Sequence, residues 1–296
     1  MKNFQSKVAV VTGGASGIGR ALAERSATLG MKIVLADIEE QALRQAEKEL
    51  KASGAEVIAQ RTDVSQAGDV EALANLAFTT YGVVHLLFNN AGVSVEPVEN
   101  TVWGSPLADW QWVLGVNLWG VIYGIHFFVP RMLAQGSEGY IVNTASGAGL
   151  LAHAGQASYN VSKHGVVALS ETLALELAVH KASLKAAVLC PGWVNTRITG
   201  AGRNRPQALQ NAREQNQVGS EVQSRIQTLR QLLQAGMPPS QVAEIVFDAI
   251  RQDKFYILTD PNIKRGVQLR MDDILHERSP RDARTLARQQ ILQADE

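Results

Sequence analysis

Short apolar runs, many of them β-branched, alternate along the chain with amphipathic stretches, the runs falling at 7–12, 32–37, 56–62, 85–89, 140–144, 185–190 and 255–258. Each is brief and mostly lacks the in-and-out alternation of a strand with one wet face. Each therefore reads as a strand covered on both sides. Helical patterns lie between them. In 39–52, Ala42, Leu43, Ala46 and Leu50 recur at helical spacing while Glu, Arg and Lys take the opposite face. Ser240 stands where it could cap a helix carrying Val242, Val246 and Ile250. Such alternation predicts an α/β fold, a parallel sheet between two helical layers.

Four segments modify that outline. The stretch 112–129 is nearly all apolar and about long enough to cross a bilayer. Asn117, His126, three glycines and a terminal Pro130 predict instead a helix buried in the domain. The pattern over 159–179 is richer in Ala, Val and Leu than one buried face requires, which predicts a subunit contact, with deep burial as the alternative. Between 197 and 238, Gln, Asn and Arg crowd a segment with few apolar anchors. It is expected to be a mobile substrate lid, the alternative being a loosely packed excursion. The charged, helix-favouring tail 261–296 is expected to dock as a helical extension on its own or a neighbouring subunit, leaving one domain over 1–260.

Composition narrows the partners. Lys plus Arg number 28 and Asp plus Glu 28, so net charge recruits neither nucleic acid nor an acidic membrane surface. A small molecule is the expected partner. The single Cys190 excludes an internal disulfide and offers no zinc cluster, so no metal is expected and a reducing compartment fits. Residues 1–7 run straight into the apolar 8–11, too short for a secretory h-region, so a cytoplasmic location is expected.

Candidate chemistry begins after the first strand with Thr12-Gly13-Gly14-Ala15-Ser16-Gly17-Ile18-Gly19-Arg20. Glycines there let the backbone turn tightly and approach a pyrophosphate, and the following helix presents free N–H groups to it. The second strand ends in Asp37, about twenty residues on, where a carboxylate can accept both hydroxyls of an adenosine ribose. Its charge would repel a 2′-phosphate, and neighbouring Ile38 and Ser16 supply no cation for one, so NAD is favoured over NADP. Asp37 could equally cap the next helix, and the two roles can coexist.

Tyr159 and Lys163 lie four apart on a predicted helix and so share a face. A phenol with an ordinary pKa of about 10 needs its anion stabilised to act near neutrality, and an adjacent ammonium has the right sign. Asn89-Asn90-Ala91-Gly92, Asn117, Ser146 and Pro191-Gly192-Trp193-Val194-Asn195-Thr196 complete an ordered set, and with the glycine turn the sequence resembles the short-chain dehydrogenase/reductase family from about Phe4 to Tyr256. The resemblance implies a single Rossmann-type domain with about seven parallel strands. It implies that Tyr159 exchanges a proton with the substrate oxygen, Lys163 holds the nicotinamide ribose and lowers the tyrosine pKa, and Ser146 hydrogen-bonds the substrate oxygen. Asn117 would kink its helix and hold a relay water. On the cofactor side it assigns Gly13, Ser16, Gly17, Ile18 and Gly19 to the phosphate turn, and Asp63 and Val64 to adenine. It assigns Asn90 to the end of the fourth strand, and Val194 and Thr196 to the carboxamide. Two positions depart from the family pattern. His85 replaces the usual acidic residue before the fourth strand, and Ala145 replaces a frequent serine.

The substrate pocket is expected between 93–95, 147–156, Trp193 and the lid, at the strand ends. Leu150, Leu151 and Trp193 suggest a bulky hydrophobic alcohol, with His153 and Gln156 free to orient a polar group on it. The opening Met1-Lys2-Asn3-Phe4-Gln5, the Val129-Pro130-Arg131-Met132 run and the Tyr256-Ile257-Leu258 ending also resemble the aryl-alcohol Cα-dehydrogenase branch. The expectation is an NAD-dependent oxidoreductase interconverting a secondary alcohol and its ketone as a homotetramer or dimer. Carbonyl reduction as the physiological direction and a non-catalytic dinucleotide-binding regulator are the alternatives.

Overall fold

All seven apolar runs become strands of one parallel sheet, in the order β3-β2-β1-β4-β5-β6-β7. They are β1 (Val8–Thr12), β2 (Lys32–Asp37), β3 (Val57–Arg61), β4 (Leu86–Asn89), β5 (Gly139–Thr144), β6 (Leu184–Cys190) and β7 (Tyr256–Leu258). The computed structural model describes residues 1–95, 101–211 and 220–282. Helices α1 (Gly17–Thr28), α2 (Glu40–Ala52) and α8 (Pro239–Arg251) cover one face of the sheet. The other is covered by α3 (Ala67–Tyr81), α5 (Gly120–Ala134) and α6 (Ala157–Val179). Ala9 and Val11 pack with Leu22, Leu43 and Phe247, while Val8 and Val10 pack with Leu73, Phe128 and Leu173. Burial on both faces is what makes these runs nearly continuous in apolar residues. The two edge strands depart from that pattern, β3 with Val57 alone buried and β7 with Ile257 alone buried.

β1 has β2 on one side and β4 on the other, so the winding reverses there and opens a crevice at the carboxyl ends of the strands. The apolar stretch 112–129 spans the end of α4 (Leu107–Leu114), a π-helical turn Gly115–Trp119 and most of α5. Although Leu107–Ala134 is apolar and long enough to cross a membrane, Phe128, Val129 and Met132 pack into the sheet core. On α6, Val161, Leu175 and Val179 remain exposed, as do Trp119 and Leu133. The apolar excess of this helix is therefore not fully used inside the chain.

Two details differ from the sequence reading, the α8 cap and the lid, and the tail takes one of its two expected positions. The cap of α8 is Pro238, with Pro239 in the first turn and Ser240 already helical. Proline's fixed φ suits a first turn, and its missing N–H costs nothing there. Within the expected lid, two 3₁₀ turns, Ile198–Asn204 and Gln207–Leu209, precede α7 (Ser220–Gln234), and 212–219 lie outside the described residues. Its described first half is pinned rather than loose, because Arg205 Nη1 meets Asp109 Oδ1 at 2.6 Å and the guanidinium lies over the Trp112 ring. The tail forms α9 (Pro261–Leu275), whose N-cap Asp260 accepts from the Asn262 N–H at 2.8 Å. It docks on its own subunit, where Arg270 Nη1 donates to the Leu150 carbonyl at 3.2 Å. Residues 283–296 of the tail lie outside the described residues.

Candidate active site

The crevice is lined from both ends by residues the sequence singled out. Gly13 has φ +65°, and a Cβ there would fall 2.9 Å from the Ala91 Cα, so the turn requires glycine. Gly19 differs from its assignment. A Cβ there would fall 2.1 Å from the Gly13 carbonyl oxygen, and the residue lets α1 pack under the turn without lining the cavity. Ser16, in extended backbone at the N-cap of α1, makes no side-chain cap and lines the cleft with Gly13, Gly17 and Ile18. The first N–H groups of α1 have no intrahelical partner, which suits an anion at this position.

Asp37 closes the nucleotide end. Its Oδ2 accepts the Ala15 N–H and its Oδ1 the Glu39 N–H, both at 3.0 Å. Burial raises its pKa above the ordinary carboxylate value, and these two N–H bonds act against that rise. The helix-entry contact and a ribose contact are compatible, since each oxygen accepts only one N–H and keeps acceptor capacity. Asp63 accepts from the Ser65 N–H and hydroxyl at 3.0 and 2.7 Å, and it lines the cleft with Val64. Asn90 ties three strand ends together: its N–H donates to Thr12 Oγ1 and its Nδ2 to the Thr12 carbonyl, while its Oδ1 faces Thr144 Oγ1 at 3.4 Å. Val194 forms a bridge to Met237, and Thr196 stands over Gly17. The cradle, the paired lone pairs of Asp37 and the helix N-terminus together fit a dinucleotide.

At the other end, α6 carries Tyr159 and Lys163 one turn apart, with the Lys163 Nζ 5.7 Å from the Tyr159 ring centre. Lys163 is buried and donates to the Thr144 carbonyl at 2.9 Å, and burial lowers its pKa to about 8. Burial pushes the Tyr159 phenol above its usual 10, and a hydrogen bond with Ser146 works against that rise. Ser146 in turn accepts the Ala148 N–H at 3.1 Å, which fixes the serine at the start of a 3₁₀ turn.

Asn117 lies at the π-helical turn, fully buried and outside the cavity lining. Its Oδ1 accepts the Val93 N–H at 2.8 Å, and its Nδ2 donates to the Val93 carbonyl at 2.9 Å and to Ser162 Oγ at 3.1 Å. The side chain thus joins the β4 exit loop to α6. A π turn carries one extra residue and distorts the helix locally, consistent with the expected kink.

The two ends open into one cavity of about 1020 Å³, with His153, Gln156 and Trp193 along its substrate side. His153 Nδ1 lies 3.4 Å from Asp282 Oδ1. Sequence reasoning missed two parts of this wall. Trp112 lines it from α4, and Ile263, Gly266 and Leu269 line it from α9. The three-residue spacing along α9 was the available signal, masked by the charge of the tail. It also missed a cation: Arg203 reaches Glu39, two residues beyond Asp37. Among the described residues, no group of three or more His, Cys, Asp or Glu side chains is placed to hold a metal.

A model of the short chain dehydrogenase family matches residues 7–207. The chain is similar to a short-chain dehydrogenase/reductase of Burkholderia phymatum crystallised with NAD, at 46% identity and a TM-score of 0.90, covering 95% of this chain and 99% of that one. It is 31% identical over 291 residues to C alpha-dehydrogenase of Sphingobium sp., spanning 96% of this chain and 90% of that protein. It is 37% identical over 195 residues to cyclohexanol dehydrogenase of Acinetobacter sp., spanning 66% and 76%. With the glycine turn, the Ser146, Tyr159 and Lys163 cluster and the seven-stranded sheet in place, the chain belongs to the short-chain dehydrogenase/reductase family, oxidoreductases acting on alcohol and ketone groups.

Proposed function

We propose that this protein is an NAD(H)-dependent oxidoreductase that interconverts a bulky aromatic or alicyclic secondary alcohol and its ketone. The observation that carries the reading is that Ser146 and Tyr159, with buried Lys163, line the same cavity as Asp37 and the glycine turn. Bound NAD would supply a hydride acceptor and a positive charge beside the phenol, held by the glycine turn, Asp37, Asn90, Lys163 and Thr196. In oxidation, Tyr159 takes the hydroxyl proton of the alcohol as the carbon loses hydride, and Ser146 holds the same oxygen. In reduction, Tyr159 returns that proton. Trp193, Trp112 and Leu151 make the substrate side apolar, and His153 and Gln156 can orient a polar substituent. The names of two relatives, C alpha-dehydrogenase and cyclohexanol dehydrogenase, support this substrate class.

A tyrosine and lysine site serves both directions, the phenolate accepting the alcohol proton and the phenol donating to the ketone oxygen. Comparison of kcat/KM in the two directions separates the alternatives. The exposed stripe of Val161, Leu175 and Val179 with Trp119 and Leu133 supports a homo-oligomer, a tetramer or dimer, built on α5 and α6. A cytoplasmic location fits the buried, unpaired Cys190.

Absorbance of reduced nicotinamide, followed with NAD and NADP supplied separately over aromatic, alicyclic and steroidal alcohols, tests the reading. Tyr159→Phe should retain NADH binding and lose nearly all turnover. Substantial residual activity in that variant excludes the assigned role.

A further inference from the structure

The segment after β6 is fastened at both margins of the cavity, and the two fastenings differ. On the substrate side, Arg205 Nη1 meets Asp109 Oδ1 of α4 at 2.6 Å, with the arginine 11% and the aspartate 5% exposed. Asn211 Nδ2 donates to the same Asp109 oxygen at 2.9 Å, and Arg205 Nε donates to the Leu209 carbonyl at 2.6 Å. On the nucleotide side, Arg203 Nη2 and Nε reach Glu39 Oε1 at 2.6 and 3.1 Å, and Asn204 Nδ2 donates to that oxygen at 3.1 Å. Arg203 is 35% and Glu39 22% exposed. The remaining arm of Arg203, Nη1, is held on its own turn by the Gly200 and Arg197 carbonyls at 2.7 and 3.3 Å.

Glu39 follows β2 and Arg203 follows β6, 164 residues apart, and both line the cavity that Asp37, Ser16 and the glycine turn also line. The bridge therefore spans the nucleotide part of the crevice from one rim to the other. We propose that Glu39 and Arg203 form a releasable bridge that retains the bound dinucleotide, opening about the fixed Arg205 to Asp109 anchor. This inference rests on the NAD-binding reading above. An ion pair open to solvent exchanges its partners for water at little cost, whereas a buried one does not. The nucleotide-side bridge is the one that yields, and its opening is the step a dinucleotide must await before leaving. Because the contacts lie between protein groups, their loss acts on dissociation more than on encounter.

The test is stopped-flow displacement of NADH by excess NAD, read by nicotinamide fluorescence, in the wild type, Arg203→Met, Glu39→Gln and the double variant. Each single variant is expected to release NADH about two- to fivefold faster, the size of effect an exposed ion pair supplies, with the association rate little changed. The double variant should be no faster than either single one, since both remove the same bridge. Unchanged release in the single variants, or additive acceleration in the double variant, overturns the bridge while leaving NAD binding intact. A wild-type protein that binds no NADH overturns the cofactor reading and the bridge with it.

Discussion

Lys163 and Thr144 are joined by a hydrogen bond of 2.9 Å from the amine to the carbonyl at the end of β5, the main polar contact of an almost fully buried side chain. Burial lowers the amine's pKa to about 8 from 10.5. The unfolded chain thus binds this proton more readily between pH 8 and 10.5, and stability from this group rises across that window. Below pH 8 the whole penalty is present, about 3 kcal/mol for a shift of this size. Lys163→Met keeps the stem and removes the charge, while leaving the Thr144 carbonyl without its donor, which takes back about 1–2 kcal/mol. The variant is expected to lose turnover yet unfold about 2–4 °C higher than the wild type at pH 7. That advantage should vanish by pH 10.5. Thermal unfolding without nucleotide at both pH values checks it, and equal or lower stability of the variant at pH 7 contradicts it.

Much of this architecture was readable because its strands are buried on both faces. Val8 to Val11 or Ile33 to Ala36 must be apolar throughout, and such runs stand out between amphipathic helices. Roles at Ser146, Tyr159 and Lys163 came from the ordered motifs, since a Tyr and a Lys four apart carry no chemistry by spacing alone. Long-range pairs were not readable. Nothing local in Glu39 or Arg203 announces their contact, and Asp109 looks like an ordinary helix-surface carboxylate until Arg205 is folded over it. The substrate wall on α9 was hidden for a related reason, because Ile263, Gly266 and Leu269 are interleaved with charges that serve other contacts.

Asp37 is held by two backbone N–H groups, one from the glycine turn and one from the start of α2. Asp37→Ala removes the proposed ribose acceptor and the negative charge together. A charged hydrogen bond lost from the complex costs about 1.5–3 kcal/mol, so NADH should bind roughly ten- to a hundredfold more weakly. Disturbance of the glycine turn would weaken NADH and NADPH alike, so the ratio of their dissociation constants is the telling quantity. That ratio should move toward NADPH in fluorescence titrations. An unchanged ratio removes Asp37 from the ribose site.

His85 replaces an acidic residue without losing its acceptor, for its Nδ1 accepts the Val8 N–H at 3.1 Å where β4 begins beside β1. That bond requires a ring uncharged at Nδ1. Burial, helped by the nearby Lys7 charge, lowers the imidazole pKa to about 4 from 6.5. Between those values the unfolded chain takes up the proton and the folded chain does not, so this group's contribution is complete above pH 6.5 and is lost as pH falls toward 4. The full loss is about 3 kcal/mol. Carboxylates titrate in the same range, so the difference between wild type and His85→Asn isolates the histidine. Asparagine keeps an acceptor but no proton to gain, and stability by denaturant titration should fall less steeply in the variant from pH 6.5 to 4. Parallel curves would mean that the imidazole is already protonated in the fold and that Val8 finds its acceptor elsewhere.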